Sequence, residues 1–313
     1  MKTSFRLMAA SLVLFAMLSC ADRVDSNTIQ DPGIPSEIEW EPTSMLDSDN
    51  AVSTLTLNAN GYLIAGIEDG DTYRTKEIGD EWKEIALSFV RVSDLLLLDS
   101  SQILAATGGT GLFSSTDNGL SWQQRVNSPI TNVSALTQLE DGKVAAAGPR
   151  GFFLAANIDD EWIEFNGGLS SGVFFTRLRE SNGQLFGGTP QGVYQFNGTG
   201  WDETQVNSTV LAMETFSGGL LVSSNAGLFL HNAGGWRSLP SAPNGNSFTA
   251  LETTDSGLVF AATNSGIFTA NTSSFQWQEF GLNDKSVRVL QYQPQRNMLF
   301  ASVERRVYRL KLD

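Results

Sequence analysis

Residues 95–122 read LLLLDSSQILAATGGTGLFSSTDNGLSW. An apolar run at 95–98 meets a tight-turn pair, Ser100-Ser101. A second apolar run follows, rich in small residues, and then a loop that ends in Gly111. A third short run, Gly111-Leu112-Phe113, leads through a polar turn to Trp122. Three short strands and a fourth carrying the tryptophan make one antiparallel unit. The same order recurs along the chain. Its seven tryptophans are Trp40, Trp82, Trp122, Trp162, Trp201, Trp236 and Trp277, at successive spacings of 42, 40, 40, 39, 35 and 41 residues. A strand-rich repeat of about 40 residues is the signature of a β-propeller with one blade per repeat.

The turn pairs support this reading. Asn60-Gly61, Asp141-Gly142, Asn182-Gly183, Gly218-Gly219 and Ser256-Gly257 stand between the first and second apolar runs of their repeats. Asn-Gly and Asp-Gly suit two-residue hairpins because both tolerate positive φ. The small residues of the second runs, as in Val144-Ala145-Ala146-Ala147, are expected to lie where strands crowd near the axis. Gly70, Gly111, Gly151, Gly192, Gly227 and Gly266 precede the third strands, and the seventh repeat has Arg306 there. The seventh repeat stops after its third strand, Val307-Tyr308-Arg309-Leu310, whereas Ile38-Glu39-Trp40-Glu41 is a tryptophan strand with no repeat of its own. The expected fold is therefore all-β: a seven-bladed propeller over 37–313, its ring closed by the N-terminal strand completing the last blade. Closure removes exposed sheet edges.

The N-terminus carries Lys2 and Arg6 and then an apolar run at 7–18, the pattern of a secretion signal and too short for a membrane span. It ends Met17-Leu18-Ser19-Cys20 and resembles a bacterial lipoprotein signal, in the loose form of Bacteroidota lipoproteins. The resemblance implies a signal peptide at 1–19, lipidation of Cys20, a flexible tether over 20–36 and anchoring in the bacterial cell envelope, in the outer membrane, on its periplasmic or outer surface. Cys20 is the sole cysteine, so no intramolecular disulfide can form. Removing Lys2 and Arg6 with the signal lowers the basic count from 20 to 18 against 34 acids, a mature charge of −16. That balance lacks the basic footprint of a nucleic-acid binder, and the membrane is reached through the lipid alone.

Ser115-Thr116-Asp117-Asn118-Gly119-Leu120-Ser121-Trp122 matches Ser-x-Asp-x-Gly-x-x-Trp. The chain thereby resembles the BNR or Asp-box propellers: sialidases, photosystem II stability-factor-like proteins and xyloglucanase-type glycoside hydrolases, within the wider class of WD40/YVTN-like rings. A degenerate copy occurs at 75–82, and the third repeat keeps Asn157 and Trp162 in register. In that family the box lies between the third and fourth strands, away from the active face. The resemblance thus implies that Ser115, Asp117, Gly119 and Trp122 are structural. A sialidase would also need three central arginines, a Tyr nucleophile with a Glu partner and an Arg-Ile-Pro segment. Here Gly33-Ile34-Pro35 lacks the arginine, and Tyr62, Tyr73, Tyr194, Tyr292 and Tyr308 all fit strand positions.

Other chemistry is sparse. His231, the only histidine, falls at the far end of a third strand. Without a His cluster, a Cys pair or a Gly-rich phosphate loop, no metal or cofactor is expected. Propellers bind through the loops joining second to third strands. Glu68, Asp69, Arg150, Gln191, Asn225, Asn264, Glu304 and Arg305 occupy those loops and differ in chemistry from repeat to repeat. Closure would gather Asp47, Asp49, Glu68, Asp69 and Glu304 into one acidic sector, with Arg150 and Arg305 as the main cations of that face. The reading is a monomeric, non-enzymatic propeller that binds a protein or glycan there, with no catalytic residue assigned. The alternative is an Asp-box-class glycoside hydrolase or lyase, whose paired carboxylates leave no local signature.

Overall fold

The computed structural model describes residues 37–44, 46, 50–68, 70–76, 81–85, 87, 91–126, 130–245 and 247–312. The signal peptide, Cys20, the tether, Asp47, Asp49, Asp69 and part of the degenerate box at 75–82 lie outside them. No helix among the described residues is long and apolar enough to cross a membrane.

The described residues form seven four-stranded antiparallel sheets. Blades 1 to 7 begin with Val52–Leu57, Val92–Leu97, Ala135–Gln138, Arg177–Ser181, Val210–Phe216, Ala250–Thr253 and Val287–Gln293. Six blades take four consecutive strands. The seventh takes three and is completed by Glu41–Pro42, with Glu41 opposite Arg309 and Pro42 opposite Tyr308. Thr43 continues the seam, its N–H and its hydroxyl both donating to Val307 O at 2.9 Å. The first strand of each blade packs against that of the next, blade 7 against blade 1 included, so the ring closes as the repeat pattern requires.

The core lies between blades. Among the described residues, seven apolar clusters each join two neighbouring blades. The second strands explain this, because Leu63–Ile67, Ile103–Thr107, Val144–Gly148 and Leu258–Thr263 are buried along their whole length. A strand covered on both faces reads as a continuous apolar run. Their alanines and glycines therefore answer crowding between facing sheets; the strand nearest the axis is the first of each blade, not the second. Gly187 illustrates the constraint, since a Cβ there would lie 2.3 Å from the Phe175 ring. Each tryptophan stands at or just before the fourth strand and belongs to the cluster against the preceding blade. Trp40 packs edge-on against Phe280 of blade 6, with ring centroids 6.4 Å apart, and donates its indole N–H to Phe280 O at 2.9 Å.

Turn chemistry follows the sequence only in part: at Asn60-Gly61 and Asp141-Gly142, expected to be two-residue hairpins, the glycine alone takes positive φ, 82° and 87°, in longer loops between the pairs Leu57–Leu63 and Gln138–Val144. Asn182 and Gly183 both take positive φ, 53° and 70°, and close a two-residue hairpin between Ser181 and Gln184. In blade 7 the left-handed residue before the third strand is Glu304, at φ 52°, rather than Arg306. A non-glycine residue in that region is uncommon and strained, which marks this loop as distinct from its six counterparts.

The turn at 115–122 is held by side chains. Asp117 Oδ1 accepts Ser121 N–H at 2.9 Å and the Ser115 hydroxyl at 2.8 Å, and Asp117 Oδ2 accepts the Ser121 hydroxyl at 2.6 Å. Gly119 N–H donates to Ser115 Oγ at 2.8 Å, and Trp122 Nε1 donates to Gly119 O at 3.1 Å. The turn also docks on blade 1, where Asn58 and Asn60 both donate to Asn118 Oδ1, at 2.7 and 2.8 Å. Blades 3 to 6 use asparagine for the same purpose. Asn157, Asn197, Asn232 and Asn271 each accept a backbone N–H two residues on. These are Asx turns. The partial burial of Asp117 pushes its pKa up, but hydrogen bonds from Ser121, Ser115 and Leu120 outweigh it and bring it down to about 2. A depressed carboxylate stabilises the fold above its unfolded pKa, and that contribution is lost as pH falls from about 4 towards 2. Asp117→Ala is expected to lower stability at neutral pH by about 1 kcal/mol. Its deficit should shrink below pH 4; acid and thermal melts of both proteins at several pH values check this.

Candidate functional site

The loops joining second to third strands lie at one end of the blades, where every innermost strand begins. Pairing of Val52 with Ile67, Arg177 with Gly188 and Val287 with Val303 sets this arrangement. Glu68, Arg150, Gln191, Asn225, Asn264 and Glu304 are exposed on this face, and Arg305 is half-buried. Several are tied locally. Glu68 forms an ion pair with Arg288 on the innermost strand of blade 7. Asn264 Oδ1 accepts the Ser286 hydroxyl at 3.1 Å. Arg288, absent from the expected set of cations, is thus the partner of Glu68. Of the expected acidic sector, Asp47, Asp49 and Asp69 lie outside the described residues, and Glu68 and Glu304 are described. Among the described residues, no group of three or more His, Cys, Asp or Glu side chains is arranged to hold a metal ion. His231 lies far from this face, between the rings of Phe186 and Trp236 at 4.9 and 4.8 Å, and its burial pulls its pKa down.

The same end of the ring opens onto an axial well of about 350 Å³. Its wall is made of residues on or just before the innermost strands of all seven blades, including Ser53, Asp94, Ser134, Arg177, Arg179, Glu214, Glu252, Arg288 and Gln291. Two kinds of bond build it. The first stitches blade 1 to 2, 2 to 3, 3 to 4 and 6 to 7. Hydroxyls of Ser53, Ser134 and Thr249 donate to Val92 O, Phe175 O and Val287 O of the following blade at 3.2, 2.6 and 2.9 Å. The carboxylates of Asp94 and Glu252 accept Leu136 N–H and Tyr292 N–H of the following blade, both at 2.8 Å. A β-bulge between Val92 and Asp94 interrupts the ladder beside Asp94.

The second kind is electrostatic. Arg179 pairs with Glu214 at 3.5 Å and also attracts Asp94 and Glu252. Enclosure by protein pushes the Asp94, Glu214 and Glu252 carboxyls above their ordinary range, against the pull of Arg179. Glu252 is raised well above it, by enclosure first and then by the charge of Glu214. Arg177 lines the well and is exposed there, although the surrounding walls crowd it. Its NH1 donates to Thr176 O at 2.7 Å, and enclosure pulls its pKa down against the attraction of Asp94.

The well combines enclosed acids with an arginine pair, the combination an axial active site or a small-ligand site needs. Sequence reasoning missed it. The signal was present as charges placed beside the apolar triplets of the first strands: Ser93-Asp94-Leu95, Arg177-Leu178-Arg179, Met213-Glu214 and Leu251-Glu252.

No family profile and no curated protein matches the sequence. Solved structures do match. The chain is similar to YCF48 bound to a D1 peptide, at 14% identity and a TM-score of 0.72, over 90% of this chain and 98% of that one. It is similar to the WD40 domain of Neurospora crassa Pan2, at 10% identity and a TM-score of 0.70, over 89% and 97%. It is also similar to a catalytically inactive virginiamycin B lyase from Staphylococcus aureus crystallised with quinupristin, at 10% identity and a TM-score of 0.72, over 88% and 100%. At these identities the likeness establishes the propeller architecture, which hosts peptide binding in one of these proteins and lyase chemistry in another.

Proposed function

We propose that this chain is a non-enzymatic binding propeller, tethered to a bacterial envelope membrane through lipidated Cys20, that holds a protein or a glycan on the loop face around its axial mouth. One observation carries the reading: seven loops converge at one end of the ring, and Glu68, Arg150, Gln191, Asn225, Asn264 and Glu304 present unlike chemistry there. Variable side chains on a rigid repeated scaffold suit recognition. The peptide-bound YCF48 ring supports the same use of the fold. The Asp117 turn is assigned a structural role as an Asp-box, remote from the ligand, and the ring acts as a monomer. The test is capture from the source membrane fraction by detergent-solubilised full-length protein, compared with an Arg150→Ala/Arg305→Ala double variant. A protein or glycan retained by the wild type and lost by the variant supports the reading. Equal retention by both overturns the assignment of these arginines.

A second reading has its own observation. Glu214 and Glu252 share the axial well and both titrate above the usual carboxylate range through enclosure. A raised carboxyl is what a glycoside hydrolase uses as its general acid, so a carbohydrate-active enzyme of the Asp-box class is the alternative. Hydrolysis of a polysaccharide panel by the wild type, abolished in Glu252→Gln, would establish it.

A further inference from the structure

We infer that the axial well is a binding site for a small zwitterion of amino-acid size, with its carboxylate on Arg177 and its ammonium between Glu214 and Glu252. The inference does not depend on the loop-face reading, because every residue it uses belongs to the innermost strands.

Several polar groups of the well are already committed. Asp94 spends both carboxylate oxygens on backbone N–H groups, Leu95 at 2.9 Å and Leu136 at 2.8 Å. Arg179 is occupied by Glu214 and by Leu178 O at 2.9 Å. Arg177 differs. Among the described residues its one hydrogen bond is to the carbonyl of its own neighbour, and it forms no ion pair although Asp94 attracts it across the well. A guanidinium has five N–H donors in a planar fork that matches a carboxylate. Arg177 lines the cavity and is exposed there.

The opposite charge sits on the next two blades. Glu214 belongs to blade 5 and Glu252 to blade 6, and both line the same cavity. Their mutual repulsion raises Glu252. One guanidinium, Arg179, is shared among Glu214, Asp94 and Glu252. A second cation between Glu214 and Glu252 would relieve this deficit. Depth separates the two poles. Arg177 opens the innermost strand of blade 4 at the mouth, whereas Arg179, at the level of the glutamates, lies two residues further in. Two residues of strand span about 6.7 Å, room for an ammonium and a carboxylate joined by one carbon together with their hydrogen bonds to the walls.

Charge balance selects the ligand class. A simple anion on Arg177 would face three carboxylates. A simple amine would neutralise the glutamates and leave the Arg177 fork without a carboxylate. A zwitterion answers both poles with no net change of charge in the well. The volume of about 350 Å³ stands at the small end of ligand pockets and admits an α-amino acid with its side chain.

The test is a thermal-shift and calorimetric titration of the detergent-solubilised full-length protein. The probes are the proteinogenic α-amino acids one at a time, with propionate and isopropylamine as matched single-charge probes. The expected result is a saturable shift with one or more amino acids and none with propionate or isopropylamine. In Arg177→Gln and in Glu252→Gln the dissociation constant should rise about tenfold or more, the size expected for a lost charged hydrogen bond. The inference is overturned if no amino acid binds, if propionate or isopropylamine binds as tightly as the amino acids, or if Arg177→Gln binds like the wild type. The matched probes keep the question decidable on the wild type even if a variant fails to fold.

Discussion

Deletion of residues 37–46 from the full-length chain is expected to leave a ring that melts far below the intact protein and aggregates as it does so. The deletion removes the fourth strand of blade 7. The pairs Glu41 with Arg309 and Pro42 with Tyr308 are lost, as are both bonds from Thr43 to Val307 O. The ion pair between Glu41 and Arg309 at 3.0 Å goes with them, and so does buried Leu46. The strand Arg306–Lys311 becomes an unpaired edge, which templates association with other chains. The single change Trp40→Ala probes the same joint more gently. Truncating a buried aromatic costs about 3–5 kcal/mol. Trp40 is half-buried, so the low end applies, with a fall in melting temperature of about 5–8 °C. Differential scanning calorimetry with light scattering checks both variants. A deletion variant that melts like the wild type would contradict closure of the ring by its N-terminal strand.

Arg179→Met is expected to cost about 3 kcal/mol at neutral pH. Removing one partner from an enclosed charge network leaves the others uncompensated, a loss of about 3–5 kcal/mol when burial is complete. Arg179 keeps some water access, which favours the low end. The network also fixes the sign of the pH dependence. Glu214 and Glu252 have folded pKa values above the ordinary carboxylate value, through enclosure first and, for Glu252, the charge of Glu214. Such groups contribute stability that is fully present below the unfolded pKa, about 4.5, and is lost as pH rises through the raised folded value. Arg179→Met should raise both carboxyls further, so its deficit grows as pH increases from 4.5 to 8. Glu252→Gln should act in the opposite sense. Its amide oxygen can still accept Tyr292 N–H, while the charge beside Glu214 is gone, so the variant should gain stability at neutral pH and lose part of the decline. Urea unfolding of the three proteins across this range tests the signs. A constant Arg179→Met deficit at every pH would show that the enclosed carboxyls do not govern stability.

Much of the fold was legible because a propeller writes one rule seven times. The tryptophan must reach the cluster shared with the preceding blade, and that demand survives even where the turn before it changes. The turns were legible in full only in blade 2 and in part in blade 3, where Asn157 keeps the same spacing to Trp162. Asp117 stands five residues before Trp122, but Asn197 and Asn232 stand four before Trp201 and Trp236, and Asn271 stands six before Trp277. The same Asx geometry is met by loops of different length, so a fixed spacing finds Asp117 and Asn157 and misses Asn197, Asn232 and Asn271. The loop face was legible because the glycines before the third strands position it. The axial well was not. Its wall is one side of each innermost strand, whose other side packs between blades, so Asp94, Arg177, Arg179, Glu214 and Glu252 alternate with the apolar residues that announce the strand. A charge at such a position reads as an interruption of the strand unless the ring geometry is known. The pairing of Glu68 with Arg288 was hidden for the same reason: closure placed blade 7 beside blade 1, but Arg288 lies on an innermost strand rather than on a loop.

Hydrogen–deuterium exchange of the full-length protein, with and without the membrane component that it captures, tests the central claim most directly. Binding on the loop face predicts slowed exchange in the second-to-third-strand loops at 148–151, 189–192, 224–227 and 263–266, with no change in the hairpin turns at 60–61 and 182–183 on the opposite face. Slowed exchange confined to those hairpin turns, or none at the loops, would contradict it.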